Sequence, residues 1–153
     1  MTMAGKCLSA LVAGLLFGTM GLAAPAPTSR PISAKVLKVE GKAQYAVIGT
    51  GSWTLAKAGD ILNEGMEIRT PIRGSLLVQL HDTTLVQVMS ATRVSLNELT
   101  RTTGQEKTRI FLHRGTVRAG IAEGPLHSDF QIACPAAVLS REGTWGIEIS
   151  YDP

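Results

Sequence analysis

The chain is poor in cysteine, in surplus charge and in any helical pattern. Of its 2 cysteines, Cys7 stands at the head of an N-terminal apolar run and only Cys134 lies beyond it. No internal disulfide can therefore staple the remainder. Stability has to come from a packed core, and about 130 residues suffice, since a chain of that size buries roughly two-thirds of its extended surface. Basic residues number 15 against 12 acidic. Without Lys6 the balance is 14 to 12, a net charge of about +2, too mild to point to nucleic acid. No window after the N-terminal run keeps a helical period for three turns, which argues against a helical fold. No glycine loop introduces a helix, so phosphate cradling of the P-loop kind is excluded.

The N-terminus is of a different kind. Lys6 is the only charge before Arg30, and an apolar, glycine- and alanine-rich run follows it to Ala24. A basic start, an apolar middle and the small-x-small triplet Gly21-Leu22-Ala23 read as a secretory signal peptide over residues 1–23, cut before Ala24. The alternative is an uncleaved membrane anchor, because about 18 apolar residues approach the length of a spanning helix. A lipid-attachment role for Cys7 does not fit, since that cysteine precedes the apolar run. Either reading makes the rest an exported protein, periplasmic or extracellular once cleaved, that meets a membrane only if the segment is retained. Residues 24–33 read as a Pro-rich linker, 34–150 as a single domain and 151–153 as a tail.

Within the domain, strands recur every eight to twelve residues. Residues 34–40 alternate; 43–48 form the next run. Gly59 beside Asp60 and Gly65 beside Glu64 mark tight turns, where glycine tolerates positive φ. Residues 75–80 turn Leu76, Val78 and Leu80 inward, and a hairpin through Asp82 leads into 85–89. Further strands are expected at 93–99, 108–113 and 116–121, with a turn at Arg114-Gly115 between the last two. Residues 129–149 then give a strand, a stop at Pro135, a turn at Gly143, and a strand carrying Trp145, Ile147 and Ile149. The pattern predicts an all-β single domain of many short antiparallel strands, in a twisted solenoid-like or sandwich stack. Residues 66–71 and 130–135 share an apolar-polar-Ile-x-small-Pro order 64 residues apart, which reads as a pseudo-repeat.

Taken in order, several segments resemble the FecR domain: the Gly59-Asp60 and Gly65 turns, Thr70, Ser75 with Leu76-Val78-Leu80, Asp82, Ser90, Val94-Leu96, Leu112-x-x-Gly115, Phe130-Gln131-Ile132, Pro135 with Ala137-Val138, and Gly143-Thr144. The resemblance spans about residues 35–150. It implies an all-β stack of short strands and a role akin to that of the family's membrane regulators. In those, a cytoplasmic segment governs a sigma factor and a periplasmic domain meets a TonB-dependent transporter. Stand-alone exported members also exist. Only six residues precede the apolar run, so the expectation is that no cytoplasmic regulatory segment is present and that direct sigma-factor control does not apply. Asp82-Thr83-Thr84 replaces the usual Asp-Gly-Ser hairpin, Cys134 stands where threonine is usual, and the last strand reads as an edge open to strand addition.

Catalytic chemistry finds little support. Cys134 shares a face with Phe130 and Ile132 and reads as a small buried side chain. His81, His113 and His127 stand at no metal-ligand spacing and read as solvated surface, while Asp82 and Asp129 read as turn residues. The expectation is no enzyme, no metal and no cofactor. Arg109, Phe111 and His113 alternate outward on one strand, and Arg118 points outward on the next. Together they form a candidate patch for an anionic ligand, set against an ordinary solvated β face. The partner expected is an envelope protein or an anionic polymer or glycan, bound or sensed by an exported domain. The alternative is a periplasmic sensory component of a FecR-type, iron-uptake-like signalling system that relays through another chain. The sequence leaves the oligomeric state open.

Overall fold

The computed structural model describes residues 28–122, 124–142 and 145–153. The expected signal peptide, residues 24–27 of the expected linker and the Gly143-Thr144 turn lie outside the described residues. The described chain is built of strands: β1 (Arg30–Pro31), β2 (Ala34–Glu40), β3 (Gln44–Val47), β4 (Thr54–Leu55), β5 (Ile61–Leu62), β6 (Met66–Arg69), β7 (Ser75–Leu80), β8 (Thr84–Val88), β9 (Arg93–Thr102), β10 (Gln105–Ile121), β11 (His127–Cys134), β12 (Ala137–Glu142) and β13 (Trp145–Tyr151). The protein is all-β, and among the described residues no helix is long and apolar enough to cross a membrane.

All 13 strands belong to one curled sheet, whose main path runs β4-β3-β6-β9-β10-β8-β7-β2-β5. β10 is the hinge of the curl. Residues 105–111 lie between β9 and β11, and residues 117–121 lie between β8 and β13. The two halves close on one core. Ile68, Val94, Leu112, Phe130 and Ile132 come from the first half, and Val36, Leu76, Val78, Val88 and Val117 from the second. Each large aliphatic or aromatic side chain so buried contributes about 1.5–3 kcal/mol, which explains a stable domain without a disulfide. Cys134 is free and buried.

Residues 108–113 and 116–121, expected as two strands with a turn at Arg114-Gly115, are instead one 17-residue strand. It bends without reversing because Gly115 takes φ +96° and sits against Thr92, whose Oγ1 would lie 2.3 Å from any added Cβ. The Thr92 hydroxyl accepts from the Thr116 amide at 2.9 Å, which satisfies backbone at the bend. The curl also produces a parallel pair within a largely antiparallel sheet: β11 runs alongside residues 105–111, with Ile110 opposite Ile132. Parallel neighbours need a long crossover, and here the bent half of β10 supplies it.

Three local expectations are corrected. His81 is not on the solvated surface. It takes φ +58° and turns inward, so that its side chain is fully covered and Nε2 lies 2.9 Å from Thr108 Oγ1. Asp129 is not a turn residue but part of β11, paired with Arg109. The echo between residues 66–71 and 130–135 is not a repeat in space: the chain crosses from β6 to the other half of the curl, whereas β11 turns back on itself through β12. The stretch read as a linker also contributes, since Arg30 and Pro31 pair with Arg101 and Thr100 of β9.

Candidate functional site

Burial of Ile68, Val94 and Leu112 in the core sends their strand neighbours to the outer face, by simple alternation. At one end of that face Gln44 stands opposite Arg69, Arg69 opposite Arg93, and Arg93 opposite Arg114. Three arginines therefore lie in one row across β6, β9 and β10. Like charges directly opposite one another destabilise a sheet, a cost that the Arg93–Glu67 pair relieves only for the central arginine. The last step depends on a shift of register between Leu112 and Arg114, which places Arg114 rather than His113 across from Arg93.

These side chains line a cleft of about 640 Å³, joined by Lys42, Trp53 and His113. The Arg69 guanidinium lies 4.0 Å from the Trp53 ring centroid, and its Nε donates to Gln44 Oε1 at 2.7 Å. Stacking and hydrogen bond together hold the guanidinium plane in one orientation. Arg93 pairs with the buried Glu67, which holds its proton more firmly. Among the described residues, Lys42, Arg69 and Arg114 have no carboxylate at ion-pair distance. The cleft is thus a concentration of positive charge, and among the described residues Glu67 is the carboxylate at ion-pair distance from its lining.

Ser95, His113 and Glu67 meet beneath the row, a combination that invites comparison with a hydrolytic triad. Ser95 Oγ lies 2.6 Å from His113 Nε2, but Glu67 Oε1 approaches the same nitrogen, at 4.0 Å. A triad needs the hydroxyl and the carboxylate on opposite ring nitrogens, and Ser95 is buried. The cluster is a support for the cleft floor. Burial pushes the His113 pKa down; Glu67 opposes this and Arg93 adds to it. Among the described residues no three His, Cys, Asp or Glu side chains gather as a metal would require.

The patch proposed from the sequence is only partly assembled. Arg109, Phe111 and His113 follow one another along the outer face, with the rings of Phe111 and His113 edge to face at 4.9 Å. Arg109 is bound at both ends of the Asp129 carboxylate, at 2.9 and 2.8 Å. Arg118 lies beyond the bend, in the other half of the curl, where Nε donates to Glu148 at 2.6 Å. Both arginines are neutralised. Gly59 and Gly65 take positive φ; Asp60 caps its turn by accepting from the Lys57 amide at 2.8 Å. The Thr70 hydroxyl binds the Met89 carbonyl, Asp82 is exposed 3.6 Å from Arg101, and Pro135 is exposed between β11 and β12.

Sequence reasoning reached His113 but missed Lys42, Trp53, Arg69, Arg93 and Arg114. A signal was present for two of them: Arg69-Thr70 and Thr92-Arg93 each set an arginine at a strand end, whereas Arg114 lies in the middle of β10, beside the Gly115 bend. Residues 66–151 match the profile of the family described as FecR protein, a signalling and regulatory family. Neither a curated protein nor a solved structure matches the chain. The match takes in every strand from β6 to β13 and more than half the chain: the protein belongs to the FecR family, and membership suggests a role in FecR-type signalling.

Proposed function

We propose that this chain is an exported, non-enzymatic FecR-type domain that binds or senses a partner in the cell envelope, and that the arginine cleft is where it does so. The observation carrying this reading is the row Arg69–Arg93–Arg114. A self-repelling arrangement of cations on an outer face is relieved when an anionic group arrives, so binding energy is stored in the unbound state. The N-terminal run supports export, and the buried Cys134 offers no exposed thiolate for covalent chemistry. Relay to a second chain fits the same reading, because β13 pairs only with β10 among the described strands and leaves an edge for strand addition.

Cell fractionation and native crosslinking of the full-length chain test this directly. The wild type should leave the cytoplasmic fraction and crosslink to envelope material, and the R69E/R114E variant should be exported equally but lose at least about nine-tenths of that crosslinking. Unchanged crosslinking by the charge-reversed variant would remove the cleft from the function. Retention of the chain in the cytoplasm would remove the envelope role.

A further inference from the structure

We infer that the arginine cleft selects a phosphoryl group, carried on a small molecule of about sugar-phosphate size. This rests on reading the cleft as the ligand site. The argument begins with which polar atoms remain available there. Thr70 Oγ1 accepts from the Thr92 amide at 3.0 Å and binds the Met89 carbonyl. Thr92 Oγ1 accepts from the Thr116 amide at 2.9 Å and lies 3.0 Å from the Ser90 carbonyl as donor. Both hydroxyls are consumed by the backbone of the bend, and Pro71 has no N–H to offer. Gln44 uses Oε1 on Arg69 and turns only its amide N–H groups to a ligand. What is left is chiefly a set of donors: Lys42, Arg69, Arg114, the Gln44 amide and the Trp53 indole N–H, with His113 Nδ1 as the one ring nitrogen not engaged by Ser95.

A lining of donors does not suit a neutral sugar, whose hydroxyls must donate as well as accept. It suits an acceptor-only group. Carboxylate and phosphoryl both qualify, and charge separates them. Lys42, Arg69, Arg93 and Arg114 line the cleft, and among the described residues only Arg93 has a carboxylate at ion-pair distance, Glu67, a surplus that one carboxylate on the ligand offsets poorly. A phosphoryl monoester brings a charge of about −1.5 to −2 and three strong acceptor oxygens to one point. Directly opposite residues lie about 4.5–5.5 Å apart across a sheet, so neighbouring arginine forks can converge on different oxygens of one phosphoryl. At about 640 Å³ the cleft exceeds a bare phosphate and falls in the range of small-molecule pockets. Trp53, already carrying Arg69 on one face, forms part of the wall that the rest of such a ligand would meet.

The test is titration calorimetry on the exported full-length chain at fixed ionic strength, with glucose 6-phosphate, inorganic phosphate, glucose and citrate as probes. Glucose 6-phosphate should bind most tightly, phosphate more weakly, and glucose not at all. R114A should weaken glucose 6-phosphate by about tenfold, and R109A, whose arginine belongs to Asp129, should bind as the wild type does. Citrate binding as tightly as glucose 6-phosphate, lost equally in R114A, overturns selection for phosphoryl and leaves an anion cleft standing. Absence of heat from all four probes, with envelope crosslinking also indifferent to R69E/R114E, overturns the cleft itself.

Discussion

The outer face of the first half of the curl has two ends, and they treat arginine in opposite ways. At one end Arg109 stands across from Glu98, is gripped by both oxygens of Asp129, and is part-buried. At the other end Arg69, Arg93 and Arg114 stand across from one another, with Glu67 as the one carboxylate among them. The same residue type on the same strands serves structure in one place and leaves charge uncompensated in the other. Arginine count alone carries no functional signal; the balance of partners does.

The largest expected effect comes from breaking the frame that holds the two ends in place. Gly115 combines φ +96° with an added Cβ 2.3 Å from Thr92 Oγ1. A left-handed conformation costs a non-glycine residue about 1–2 kcal/mol, and the backbone-anchored Thr92 cannot yield without losing its bonds to residues 90 and 116. Gly115→Ala should lower stability by at least about 3 kcal/mol in urea unfolding. It should also disorder Arg114 while leaving the Arg109–Asp129 pair intact wherever the fold survives. A loss below about 1 kcal/mol would show that the bend does not depend on glycine.

The second prediction concerns the compensated end. The Arg109 and Asp129 side chains are 28% and 22% exposed, so solvent screens their bond only in part. Asp129→Asn should cost about 1–2 kcal/mol at neutral pH. The Arg109 hydrogen bond, with a smaller Coulombic share, holds the Asp129 pKa below its usual value. A depressed carboxylate adds stability that is complete above the unfolded value of about 3.9 and is lost as pH falls through the folded value. Wild type and variant should therefore differ at pH 7 and converge in acid. A difference that stays constant down to acid pH would mean the pair is not what Asp129 contributes.

How much of this was legible beforehand follows from what each feature depends on. Alternation in residues 34–40 and 75–80 is local, and β2 and β7 fall where the pattern puts them. Burial of Cys134 follows from its sharing a face with Phe130 and Ile132. The arginine row is different in kind, because it is a property of register between strands distant in sequence. It hinges on a one-residue irregularity between Leu112 and Arg114, and bulges of this sort leave no mark in hydrophobic periodicity. His81 was misplaced for a related reason: a residue in a turn is expected outside, unless positive φ swings it back into the core. The patch of Arg109, Phe111, His113 and Arg118 does not close because β10 is one unbroken strand, so Arg118 follows His113 past the bend instead of facing it.

The smallest effect is the sharpest test of the comparison. Arg114 is exposed and makes no ion pair among the described residues, so Arg114→Ala removes a like-charge neighbour and little else. Stability should stay within about 0.5 kcal/mol of the wild type and shift upward at low ionic strength, where screening is weakest. The Debye length falls from about 30 Å at 0.01 M to about 3 Å at 1 M salt, so the gap between the proteins should vanish across that range. Arg109→Ala should behave in the reverse sense, lowering stability by about 1 kcal/mol, because it strands Asp129. If Arg114→Ala instead cost more than about 1 kcal/mol at every salt concentration, Arg114 would be a packing residue and the two ends would not differ in kind. An upward shift that fades with salt shows the row holding its charge against the fold, which is the property a ligand site needs and a structural ion pair lacks.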